Sequence, residues 1–149
     1  MKNRIIIDIP VISGSRISYH YTVEGEWVET FKQEEDFFIE YSCDISSVPE
    51  GVAIVPLLAN LLPMAWVYDA EIIVPVCDDD FYQSIPEFKK GYIEMYPMMQ
   101  FGGKLTVAEL QKNAPKTQNG VAAFFSGGVD AFNTLTQHAD EKATLFTIW

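Results

Sequence analysis

The chain has 149 residues, 48% of them hydrophobic and 21% charged, with a formal net charge of −11 at pH 7. The composition is that of a globular protein and excludes a disordered chain. So acidic a surface repels phosphate backbones and anionic lipid, which excludes nucleic-acid and membrane binding through this segment.

Residues 4–12 read as a first strand. Asp8 and Pro10 interrupt the Ile5-Ile6-Ile7 run too early for the apolar core of a signal peptide. With no targeting signal, the expected compartment is the cytoplasm. Ile17, Tyr19, Tyr21 and Val23 alternate strictly and predict a second strand. Gly25 marks a turn, Trp27 and Val28 open another extended piece, and residues 36–41 form a further strand. Two or three hairpins then make an antiparallel ribbon, followed by a polar loop over residues 44–51.

Pro56 suits the first turn of an apolar helix ending near Tyr68, and Pro63 should kink or reset it. Its uncharged stretch is borderline in length for a membrane span of about 20 residues and reads as a buried helix. Residues 71–76 read as a strand. Asp78-Asp79-Asp80 could gather Mg²⁺ or Ca²⁺, but adjacent side chains diverge and helix N-capping explains them better. Ile85, Phe88, Tyr92 and Met95 follow at helical spacing, and Met98 and Met99 lie beyond Pro97 in a loop. Residues 104–110 form another strand, and 111–120 a polar linker. The fold class is therefore α/β. A lobe over 1–112, with antiparallel strands and two helices, precedes a second unit over 119–149.

The second unit carries the most informative motif. Residues 121–125 are an apolar strand, Ser126-Gly127-Gly128-Val129-Asp130 a turn of small residues, and Phe132 and Leu135 the apolar positions of a helix to His138. Glycines let a backbone approach an anion closely, and a helix N-terminus offers amides and a positive dipole end. Residues 143–149 then read as a second, parallel strand. No Walker-type loop competes, since Gly102-Gly103-Lys104 is followed by Leu105 and lacks the earlier glycine.

Ser126-Gly127-Gly128-Val129-Asp130-Ala131 resembles the Ser-Gly-Gly-x-Asp-Ser signature of the PP-loop ATP pyrophosphatases, with Ala131 in place of the last serine. The resemblance implies a Rossmann-like sheet and cleavage of ATP to AMP and pyrophosphate, usually to adenylate a small-molecule substrate. It implies that Ser126, Gly127, Gly128 and Val129 hold the phosphates of ATP. Asp130 would act in catalysis through Mg²⁺ or by orienting the loop. The missing hydroxyl at Ala131 weighs on turnover more than on binding. Leu61-Leu62-Pro63-Met64-Ala65 and Tyr96-Pro97 are similar in order to elements preceding the loop in the muramoyl-peptide glutamate epimerases, which act on cell-wall precursors.

Only two strands of such a domain are present, so the chain reads as the N-terminal part of a longer protein, or as one completed by a partner chain. The alternative function is a non-catalytic nucleotide-binding or interaction domain. Cys43 and Cys77 form no metal-binding pair and read as two buried thiols. His20 and His138 have no nucleophile partner in the sequence. Glu34-Glu35-Asp36 reads as a solvated turn. The aromatics Trp27, Phe31, Phe37, Phe38, Tyr92 and Tyr96 read as packing, with a purine-stacking surface as the rival reading.

Overall fold

The computed structural model describes residues 3–29, 31, 37–113 and 121–147. The chain divides into two compact units, Met1–Asn113 and Ala114–Trp149. The architecture is α/β, as the alternation of strand-like and helix-like segments predicts. The Glu34-Glu35-Asp36 turn and most of the linker lie outside the described residues.

The first unit holds two sheets. Strands β1 (Arg4–Ile7), β4 (Tyr21–Glu24), β6 (Glu71–Asp78) and β7 (Lys104–Gln111) form one, in the order β4-β1-β6-β7. β1 runs antiparallel to β4 but parallel to β6, and β6 runs parallel to β7. Strands β2 (Val11–Ser13), β3 (Arg16–Tyr19) and β5 (Phe37–Glu40) form an antiparallel second sheet. The lobe is thus a mixed sheet beside an antiparallel one, rather than a single antiparallel ribbon.

The two longest strands expected near the N-terminus are each broken. The run over 4–12 leaves the first sheet at Asp8 and enters the second at Val11, across Pro10, which has no amide to give a ladder. The run from Ile17 to Val23 changes sheet at His20. The Asp8 amide donates to the His20 carbonyl at 2.9 Å, so both arms cross at the same level. Period-two alternation survives a bend of this kind, which is why the sequence did not reveal it. Trp27 and Val28 are not extended: Gly25–Val28 forms a 3-10 turn, Gly25 having φ +89°. Trp27 is buried there, and its amide donates to Asn3 Oδ1 at 3.2 Å.

Helix α1 (Glu50–Ala53) takes up the end of the expected polar loop and leads into α2 (Val55–Val67), with Pro56 in its first turn. Pro63 does not reset α2, which continues through it as one element. Leu57, Leu58, Leu62, Ala65 and Trp66 of α2 are buried, in one cluster with Ile5, Ile7, Ile72 and Val74 of the sheet and Ile17 and Tyr19 of β3. No helix among the described residues is long and apolar enough to cross a membrane. Tyr19 is fully buried, and its hydroxyl donates to the Ala53 carbonyl at 2.7 Å. Burial first, then Tyr41, raises its pKa well above the ordinary phenol value.

Asp78 caps α3 (Asp79–Met95): its Oδ1 accepts the Phe81 amide at 2.9 Å, and its Oδ2 accepts from Asn113 at 2.9 Å. Phe88 and Tyr92 meet Trp66 edge-on at 5.3 and 5.8 Å, whereas Met95 ends the helix 68% exposed. Gly102 and Gly103 are structural. Gly103 has φ +62°, and a Cβ there would strike the carbonyls of Ala65 and Ala70.

Among the described residues, Glu71 is the one charged side chain buried with the core. Its Oε1 meets Lys104 Nζ at 2.7 Å and the Thr106 hydroxyl at 2.8 Å, and its Oε2 lies 3.4 Å from Arg4 Nε. The hydrogen bond from Lys104, then that from Thr106, holds its carboxyl below the ordinary value of 4.5. A carboxyl with a lowered folded pKa stabilises the fold fully above its unfolded value, and that contribution is lost as pH falls through the folded one. Glu71→Gln should therefore lower stability at neutral pH and flatten the acid limb below about pH 4.5 in a pH series of denaturant unfolding.

Of the two thiols expected to be buried, only Cys77 is; Cys43 is exposed, in the turn region after β5. Burial, then the Asp78 charge, pushes the Cys77 thiol up to about 11. Iodoacetamide at pH 8 should alkylate Cys43 readily in the native protein and leave Cys77 unmodified until denaturant is added, as read by peptide mass.

Candidate phosphate-binding loop

The second unit is built from β8 (Ala122–Phe124), α4 (Val129–Gln137) and β9 (Thr144–Phe146). β8 and β9 are parallel, with Ala122 opposite Thr144 and Phe124 opposite Phe146. Bonds from the Phe125 amide to the Phe146 carbonyl and from the Thr144 amide to the Val121 carbonyl, each 2.8 Å, extend the pairing. Short parallel strands joined through a helix give a β-loop-α-β unit, the expected second element of the chain.

The motif residues occupy its turn. Ser126, Gly127, Gly128, Val129 and Asp130 are all exposed. Gly127 has φ +76°, in the left-handed region that glycine enters without strain. Among the described residues, a Cβ on Gly127 would meet nothing within 4 Å. Gly128 is the N-cap of α4, with φ −79° and ψ 170°, extended backbone open to any residue. A Cβ on Gly128 would meet only the Ser126 hydroxyl, at 3.6 Å. The first glycine is thus required by the chain's own path, while packing does not require the second.

No side chain among the described residues caps α4. Among the described residues, the amides of Ser126, Gly127, Gly128, Val129, Asp130 and Ala131 donate no hydrogen bond; the first helical amide to do so is Phe132, to the Gly128 carbonyl at 3.1 Å. Six consecutive donors, with the positive end of a helix dipole behind them, suit an oxygen-rich anion. Nothing among the described residues crowds the space over Gly127, and only the Ser126 hydroxyl lies near Gly128, which leaves room for a phosphate. Asp130, in the first turn of α4, adds a negative charge that the dipole favours by itself. Near a bound phosphate the same charge repels unless a cation lies between them. One carboxylate, phosphate oxygens and water make an ordinary Mg²⁺ shell, so Asp130 fits that ion. Ala131 is partly buried and brings no hydroxyl.

Residues outside the motif hold the turn, and sequence reasoning missed them. The Thr147 hydroxyl donates to the Phe125 carbonyl at 2.9 Å. The rings of Phe125 and Phe132 meet edge-on, with centroids 5.0 Å apart and planes at 76°. Two phenylalanines seven apart and flanking a glycine turn were the available signal for that contact; a lone Thr near the second strand gave none.

Asp78 is engaged as a helix cap, and Asp79 pairs with Gln83 at 3.1 Å. His138 Nδ1 lies 2.7 Å from Glu141 Oε1, past the end of α4. His20 is exposed, at the bend between β3 and β4. In the first unit, an apolar groove of about 340 Å³ is lined by Ile6, Asp8, Ile73, Pro75 and Ala108 among others. Of the aromatic set, Trp27, Phe31 and Tyr92 pack on the core, while Phe37, Phe38 and Tyr96 are partly exposed. Compared with known proteins, the chain matches no family model, no curated protein and no solved structure.

Proposed function

We propose that residues 119–149 form the ATP-binding start of a PP-loop enzyme, a cytoplasmic protein that cleaves ATP to AMP and pyrophosphate and adenylates a small-molecule substrate. The observation that supports this most is the row of six amides from Ser126 to Ala131, unpartnered among the described residues and set on a strand-glycine-helix turn. In this reading Ser126, Gly127, Gly128 and Val129 hold the phosphates. Asp130 meets Mg²⁺, which would neutralise charge building on the departing pyrophosphate. A cell-wall precursor is the substrate class that the Leu-Leu-Pro-x-Ala and Tyr-Pro resemblance suggests.

A second reading, nucleotide binding without turnover, draws on Ala131, where a hydroxyl that could meet phosphate is missing. ATP–pyrophosphate exchange separates the two. Exchange of labelled pyrophosphate into ATP, dependent on Mg²⁺ and a carboxylate substrate, supports the enzyme. ATP binding by calorimetry with no exchange supports the second reading, and neither result leaves an interaction domain.

A further inference from the structure

We infer that Thr147 is a positioning residue for the loop, aiming the Ser126 amide from just past the end of the neighbouring strand. The inference rests on the phosphate-loop reading for its functional meaning, though its geometry stands apart from it. The loop has almost nothing of its own to hold it. Its six amides are unpartnered among the described residues, and neither glycine carries a side chain. Its course must therefore be set at its two ends.

Phe125 is the anchor at the first end. Its amide donates to the Phe146 carbonyl at 2.8 Å, and its carbonyl accepts from the Thr147 hydroxyl at 2.9 Å. That carbonyl and the Ser126 N–H belong to one peptide unit, planar and trans, so the N–H points opposite to the C=O. Holding the carbonyl toward β9 therefore turns the Ser126 amide away from β9. Accepting a hydrogen bond at the carbonyl also polarises the unit and makes its N–H a better donor. At the second end, the Phe132 ring rests edge-on against Phe125 at 5.0 Å, closing the base of the turn. Thr147 thus links the strand after α4 to the first donor of the loop, without itself facing a ligand.

The test compares Thr147→Val, which keeps the shape and removes the hydroxyl, with Thr147→Ser, which keeps the hydroxyl. Two readouts are taken on the whole chain: the ¹⁵N-¹H resonance of Ser126 without ligand, and affinity for inorganic pyrophosphate by calorimetry. The expected result is a moved Ser126 resonance and an affinity about three- to tenfold weaker in Thr147→Val, the scale of one lost hydrogen bond. Thr147→Ser should restore both, with affinity within about twofold of the parent. An unmoved Ser126 resonance in Thr147→Val overturns the inference, as does an affinity equal to the parent's. If the parent itself binds no pyrophosphate, the phosphate reading fails, and the Ser126 resonance alone decides on Thr147.

Discussion

Gly103→Ala should destabilise the first unit by about 2–5 kcal/mol, the largest effect expected from any single methyl group added to this chain. Two costs add. Gly103 sits at φ +62°, where an L side chain costs about 1–2 kcal/mol. The new Cβ would also press on the carbonyl oxygens of Ala65 and Ala70, the latter at 2.7 Å. Neither carbonyl is free to retreat: Ala65 accepts the Ala70 amide at 2.8 Å, and Ala70 accepts the Lys104 amide at 3.0 Å. Those bonds tie the end of α2 to the starts of β6 and β7. Gly14→Ala is the control, with φ +60° and nothing within 4 Å of a new Cβ. It carries the conformational cost alone, about 1–2 kcal/mol. Urea unfolding of both variants should show the excess in Gly103→Ala as a lower midpoint at unchanged slope.

Gly128→Val should abolish pyrophosphate and ATP binding while lowering stability by no more than about 1 kcal/mol, the scale of a poorer helix N-cap. Its φ of −79° suits any residue, and a Cβ meets only the Ser126 hydroxyl at an ordinary 3.6 Å. The branched side chain would instead occupy the space a phosphate needs above the first turn of α4. Gly127→Ala should behave differently, costing about 1–2 kcal/mol because its φ is +76°. Ser126→Ala should weaken binding by about 1 kcal/mol or somewhat more. Ala131→Ser should leave binding intact or improve it. Calorimetric titration beside thermal unfolding checks the set. Gly128→Val that binds as the parent does would remove the loop from any phosphate site.

The parts legible in the sequence were those with strong local signals. Strand-like runs marked β6 over residues 71–76, β7 over 104–110 and β8 over 121–125, and Pro56 marked the start of α2. Asp78 read correctly as a cap, because a carboxylate before an amphipathic run satisfies a helix amide. What escaped was set by distant contacts. The bends at Asp8 and His20 leave alternation intact, so nothing local says that the arms change sheet. The 3-10 turn at Trp27 follows from burial of the indole and a bond to Asn3, 24 residues away. Exposure of Cys43 depends on where β5 ends. In the loop, the glycines announced a strand-to-helix turn, but their separate roles needed dihedral angles: Gly127 takes the left-handed conformation of the turn and Gly128 the extended N-cap of α4. Thr147 was invisible because its partner is a carbonyl 22 residues earlier.

The most direct test of the central claim is a ¹⁵N-¹H titration of the chain with Mg²⁺-ATP, following every backbone amide. The phosphate-loop account predicts saturable shifts concentrated at Ser126, Gly127, Gly128, Val129, Asp130 and Ala131, reproduced in that segment by pyrophosphate. Shifts centred on the groove over Ile6 and Ile73 with the loop unmoved, or no saturable shift anywhere, would contradict it.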